Sequence, residues 1–307
     1  MTPGIVMSLL LHLSLLAAPA VAPLPQDPPP PEEAEQVETQ DEVETVSPGE
    51  AVAALKEAAK AKDPTVLEAT LASVGRIADK AVVKEIANSL KSKQEAVALA
   101  AITALRWNQH GDALDALLKA AKDKKLMAVE KLAIELTYAL GQKADKKALK
   151  ALTDGYTVTA KGLGDLMQAK TLALGRIRDK AAVEAILDFV NSGARRRGER
   201  RMPQDALVAL HVLTGQEPGK QVSDWMDWWY DEKGSLKIHA EEWPLPDGRA
   251  QRQWDRLWED PESRSRDSAR GRDGETRRGT SEDSDEDRGP PQREDGPSEG
   301  RGSSSAT

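Results

Sequence analysis

One pattern limits what this chain can fold into more than any other. Val74-Gly75-Arg76-Ile77-Ala78-Asp79-Lys80-Ala81-Val82-Val83 reappears as Leu174-Gly175-Arg176-Ile177-Arg178-Asp179-Lys180-Ala181-Ala182-Val183. Between the two copies lie Ala104-Leu105 and Ala139-Leu140-Gly141, the latter followed by Lys143-Ala144-Asp145. The anchors fall at 74, 105, 140 and 174, in steps of 31, 35 and 34 residues. A period of this length is one supersecondary unit that cannot bury its apolar face alone and must stack on its neighbours.

The unit is helical. From Glu50 to about Lys233 the chain is rich in Ala, Leu, Lys and Glu, which are strong helix formers. Val183, Ile186, Leu187 and Val190 stand at i, i+3, i+4 and i+7, on one helix face, and Leu67, Leu71 and Val74 follow the same spacing. No alternating Val/Ile/Thr run suggests a strand. Each unit reads as a first helix ending near Ala-Leu-Gly, where glycine suits a left-handed stop, and a second helix capped by the Asp that follows. First helices are expected near 64–76, 94–107, 126–140, 163–176 and 203–214. Second helices are expected near 79–91, 111–122, 144–154, 179–191 and 221–232, with an N-terminal capping helix at 50–61.

Ala173-Leu174-Gly175-x-Ile177-x-Asp179-x-x-Ala182-Val183-x-x-Ile186-Leu187 and its weaker copies resemble the HEAT-repeat family, especially the short repeats of phycobilisome-lyase-like proteins. The resemblance covers roughly 50–233 and implies an all-α, right-handed α-solenoid of about five HEAT-like helical hairpins. In that family the repeats are a scaffold, and the match carries no catalytic residue onto this chain.

The ends differ in kind. Residues 1–22 hold an apolar run from Ile5 to Leu16, the length of a signal-peptide core and too short to span a bilayer. Ala18-Pro19-Ala20 supplies a small-x-small site for cleavage between Ala20 and Val21, although no Lys or Arg precedes the run. The other reading of this segment is an uncleaved interfacial anchor. Residues 21–49 form a Pro/Glu-rich linker with eight acids and no base. Residues 262–307 carry nine Arg and twelve acids and no Val, Ile, Leu, Met, Phe, Trp or Tyr. Neither stretch can bury a core, so both are expected to be disordered.

Past the repeats the aromatics concentrate. Val222, Trp225, Met226 and Trp229 form one helical stripe with Trp228 beside it, and Trp254, Leu257 and Trp258 share a face of a short helix at 249–259. A solenoid needs an end that hides its last apolar face. Trp225, Trp228, Trp229, Trp254 and Trp258 are therefore expected to act as a structural cap, with residues 234–261 folding back onto it. The Leu213-Thr214-Gly215 that precedes this cluster gives it the look of the closing unit of exported bacterial HEAT-repeat proteins.

Catalytic chemistry has little to stand on here. The chain has no cysteine, which excludes disulfides, thiol nucleophiles and Cys-type zinc sites. Its four histidines form no HxH or HExxH pair, and His211 reads as a satisfied histidine near an apolar helix face. No G-x-S-x-G, Walker A or kinase set is present. We expect no enzyme, no cofactor and no metal.

Charge points elsewhere. The chain carries a net −8, but the acidic linker and tail account for more than all of it, leaving the foldable part slightly basic. Arg195, Arg196, Arg197, Arg200 and Arg201 cluster in an expected loop between the fourth and fifth repeats. Arginine meets carboxylates with paired hydrogen bonds, so this loop is the expected contact for another protein with an anionic surface. The plainer reading is a solvated loop that pairs with nearby acids. Nucleic acid is not an expected partner of an exported chain. The expectation is thus a non-catalytic interaction scaffold in the periplasm or outside the cell. Two alternatives stand beside it: a membrane-tethered envelope protein that retains its N-terminal segment, and a lyase-like helper of tetrapyrrole attachment.

Overall fold

The computed structural model describes residues 46–61, 63–156, 164–198 and 200–264, without the side chain of Arg197. The expected signal segment with its Ala20–Val21 cleavage site, most of the linker and nearly all of the tail lie outside the described residues.

Every regular element among the described residues is helical. The longer helices come in two sets. The first set is α2 (Pro64–Val74), α4 (Glu95–Trp107), α7 (Glu130–Gln142), α9 (Asp165–Gly175) and α11 (Gln204–Thr214). These pack side by side in that order. The second set is α3 (Lys80–Ser89), α5 (Gly111–Ala120), α8 (Leu149–Thr153), α10 (Lys180–Arg197) and α12 (Val222–Glu232). Here α3 packs beside α5, α8 beside α10, and α10 beside α12, while also meeting the first set. Helix α1 (Pro48–Ala61) covers α2 and α3, and α6 (Lys124–Met127) is a single turn leading into α7. Helix α13 (Gly248–Trp258) follows a long connection.

The starts of these helices follow from local chemistry. Asp63, Asp79, Asp145 and Asp179 each accept a backbone N–H two residues on, at 2.7–2.9 Å. Each satisfies a donor that the first helical turn leaves unpaired. Pro64 opens α2, at a position that needs no N–H.

The expected left-handed glycine stops are not found where the repeats place them. Gly75 has φ −61°, and Gly141 and Gly175 lie within their helices. Among these helix-ending glycines only Gly215 is left-handed, at φ 70°. Close approach is what the others provide. A methyl group in place of a Gly141 hydrogen would sit 2.8 Å from Ala173 Cβ, and one at Gly175 would sit 2.9 Å from Ala209 Cβ. Buried alanines on the facing helices, Ala104, Ala173 and Ala209, complete these tight contacts. Leu105, Leu140, Leu174 and Leu213 fill the interior behind them, each no more than 2 % exposed.

Two further expectations shift. In the third unit the first helix is delayed to Glu130 behind the α6 turn, and the second is a short 3-10 turn, Lys146–Ala148, followed by α8. In the fourth, α10 continues past Gly193 to Arg197 and stops only at Gly198, which is left-handed at φ 70°. A mid-helix glycine costs about 1 kcal/mol relative to alanine, too little to end a helix whose next residues are Ala-Arg-Arg-Arg.

Candidate binding face

Arg195, Arg196 and Arg197 therefore sit in the last turn of α10 rather than in a loop. The positive charges of Arg195 and Arg196 suit the negative end of the helix dipole. Only Arg200 and Arg201 lie in the connection, where they are pinned by main chain: Val222 N–H donates to Arg200 O at 2.8 Å, and Met202 N–H donates to Lys220 O at 2.9 Å. Arg195, Arg196, Arg200 and Arg201 are exposed. Arg196 borders a cavity of about 280 Å³ beside the stacked rings of Tyr156 and Phe189, whose centroids are 4.0 Å apart. The structure thus spreads the cluster over a helix end and a tied-down connection.

The tryptophans separate into two groups. Trp225, Trp228 and Trp229 belong to α12, with Trp225 and Trp229 buried and Trp225 Nε1 donating to Gly219 O at 3.0 Å. Trp254 and Trp258 are also buried, but much farther along the molecule. After α12 the chain turns and runs back across the C-terminal ends of the first-set helices, from α11 toward α2.

The path is held residue by residue. Arg178 donates to Val212 O, His239 O and Glu241 O at 2.9, 2.8 and 2.7 Å. Trp243 N–H donates to Val212 O at 3.1 Å, and its ring lies over Gly215, 2.7 Å from where a Cβ would be. His211 Nε2 hydrogen-bonds Pro244 O at 2.9 Å, and Glu217 lies 3.2 Å from its Nδ1. Glu242 is shared between Arg176 and Trp254 Nε1, the latter at 2.7 Å. Helix α13 starts on the Asp247 cap and lays Trp254 over Gly175 and Trp258 over Gly141. Trp258 meets the Tyr138 ring edge-on at 6.0 Å, with the guanidinium of Arg176 5.3 Å from its centroid. Arg106, only 8 % exposed, donates to Leu257 O and pairs with Glu135 at 3.2 Å. Arg76 closes the run, pairing with Asp260 and with Glu262 at 3.2 Å.

Arg76, Arg106, Arg176 and Arg178 are thus the residues that hold a chain segment on this face, and the sequence reading passed over them. Their signal was present: arginine recurs directly after the helix-ending Gly75 and Gly175. Arginine suits the task because it offers a carboxylate or several carbonyls multiple donors at once.

Where this segment reaches Pro261 and Glu262, the described residues leave a cavity between α2 and α4. That cavity, of about 780 Å³, is lined by small and apolar side chains together with Arg76 and Lys131 and the carboxylates of Glu68, Glu95 and Glu262. Among the described residues no cluster of three or more His, Asp or Glu is placed to hold a metal ion, and no helix is long and apolar enough to cross a membrane. No family model matches this chain, and no curated protein matches it closely enough to count as a relative.

Proposed function

We propose that this chain is a right-handed α-solenoid of HEAT-like hairpins, exported to the cell envelope, that works as a non-catalytic scaffold for another protein. Its mechanism is surface complementarity: the aligned ends of α2, α4, α7, α9 and α11 receive a segment of polypeptide. The observation that carries this reading is that the same face already holds residues 239–262 of its own chain, through four arginines and three indoles seated over glycine. A face able to do so in cis has the donors and the shape to do so for a partner. The successive packing of the two helix sets supports a stacked-repeat architecture. Arg195, Arg196, Arg200 and Arg201 add an exposed basic patch at the far end for an anionic partner surface.

The test is affinity capture from envelope extract with the full chain. It is repeated with all five arginines of 195–201 changed to Ala, and again with the segment after Lys237 removed. Retention of a defined protein that also captures this chain in the reciprocal experiment is the expected result. Loss of capture in the Arg-free version assigns the patch, and unchanged capture removes it. Failure of every form to retain a protein overturns the scaffold reading. Mass spectrometry of the mature N-terminus addresses export: a chain starting at Val21 is expected, and a retained Met1 would favour the tethered alternative.

A further inference from the structure

Four helix-ending glycines lie along the face: Gly75, Gly141, Gly175 and Gly215. Three carry an indole from the returning segment. Trp258 Cη2 comes within 2.8 Å of a Cβ placed at Gly141, Trp254 Cη2 within 3.0 Å at Gly175, and Trp243 Cδ2 within 2.7 Å at Gly215. The fourth position is built alike, because Gly75 abuts Ala104 as Gly141 abuts Ala173 and Gly175 abuts Ala209. Yet none of the atoms nearest Gly75 belongs to a ring. Over it opens the cavity of about 780 Å³, walled by Leu71, Ala72, Leu99, Ala100, Thr103 and Trp107. The returning segment arrives at its edge with Pro261 and Glu262.

We propose that the Gly75–Ala104 notch is a docking site for a helical segment of a partner protein anchored by one tryptophan. This deepens the scaffold reading and rests on it. Continuity with the face next to it identifies the occupant. The two notches built the same way, at Gly141 and Gly175, each take an indole from one face of α13, and Gly215 takes a third from Trp243. In this chain the indoles of the returning segment are already seated, Trp243, Trp254 and Trp258 over the other three glycines. All eleven of its aromatic residues lie within the described part of the fold, and none lies beyond 258 or before 107. The residues after 264 carry no Val, Ile, Leu or Met. Burying one indole removes about 150–250 Å² from water, enough for an anchor residue.

Fluorescence anisotropy on the full chain tests this without any native partner, so its outcome is separate from that of the capture experiment. The probe is a dye-labelled, alanine-based helical peptide of about 12 residues with a single tryptophan, compared with its Trp→Ala counterpart and with N-acetyl-tryptophanamide. Saturable binding of the tryptophan peptide is expected, at least about tenfold tighter than either comparator. Ala72→Trp, which fills the cavity from an exposed position on α2, is expected to weaken it at least about tenfold. If circular dichroism shows that Ala72→Trp fails to fold, Thr103→Trp, also exposed, takes its place. Equal binding of the two peptides, or indifference to cavity filling, overturns the proposal. Binding of the free amide as tight as that of the peptide also overturns it, in favour of a small-molecule pocket. Self-association that competes with the peptide and is lost in Tyr230→Ala, whose side chain is 59 % exposed, would make a second copy the occupant and overturn it too.

Discussion

At Gly141 and Gly175 a hydrogen stands where any other residue would place a methyl group into an alanine and an indole at 3.0 Å or less. Overpacking of this kind typically costs about 1–3 kcal/mol. Gly175→Ala is therefore expected to lower the unfolding free energy by that order, read from urea titration, whereas Gly49→Ala, with nothing within 4 Å, should leave it unchanged or slightly raised. Lys143 offers a second residue-scale test. Its ammonium donates to Asn108 O, and burial pulls its pKa down to about 8. Below pH 8 the folded and unfolded chains both hold that proton, and the cost of burying the charge is present in full. Between about 8 and the ordinary lysine value near 10.4 the unfolded chain binds more protons, so stability from this group rises with pH. Above about pH 10 the half-buried phenols of Tyr138 and Tyr156, whose pKa values desolvation raises, act in the opposite sense. Stability measured at pH 7.5 and 9.5 is thus expected to rise relative to that of Lys143→Met. Parallel profiles for the two proteins would contradict the assignment.

Among the elements, α13 is the one whose role depends on partners remote in sequence. Its two buried indoles predict a loss of about 3–5 kcal/mol for Trp258→Ala or Trp254→Ala, read from thermal or urea unfolding. Trp228→Ala, at a half-buried position, should cost less. The docking of α13 is also imperfect. Trp258 Nε1, Arg106 Nε and Arg176 Nε are buried and find no acceptor among the described residues. A buried donor left unpaired costs about 1–3 kcal/mol. Backbone amides of α13 should therefore exchange with solvent faster than those of α7 and α9 beneath it. Equal protection would mean that the segment opens only with the whole fold.

For the whole molecule, the returning segment changes how stability is distributed. In a plain stack each unit touches only its neighbours, and the ends can open independently. Here residues 239–262 tie α11 at one end to α2 at the other, ending in the Arg76 pairs with Asp260 and Glu262. The full chain is expected to unfold in one step in urea, with helix content and tryptophan fluorescence falling together. Removing everything after Lys237 should separate the two signals, since the first units then lose their link to the last. Coincident transitions in the truncated chain would show that the strap adds stability without adding cooperativity.

The helix starts were legible because a cap is local: Asp79, Asp145 and Asp179 act two residues away, and their sequence context alone places them. The first-helix and second-helix alternation was legible for the same reason, since apolar spacing of three and four residues is a property of one segment. The use made of the repeated Gly-Arg was not. Arg176 meets Glu242 across 66 residues, Arg106 meets Leu257 across 151, and Arg76 meets Asp260 across 184. Nor did Trp254 and Trp258 announce that they would seat on α9 and α7 rather than on α12, because an amphipathic helix declares an apolar face and not its counterpart. The sequence by itself determined that this chain builds helices and where most of them begin. The tertiary structure alone decided which glycine receives which indole, because those choices depend on shapes that exist only once the helices are side by side.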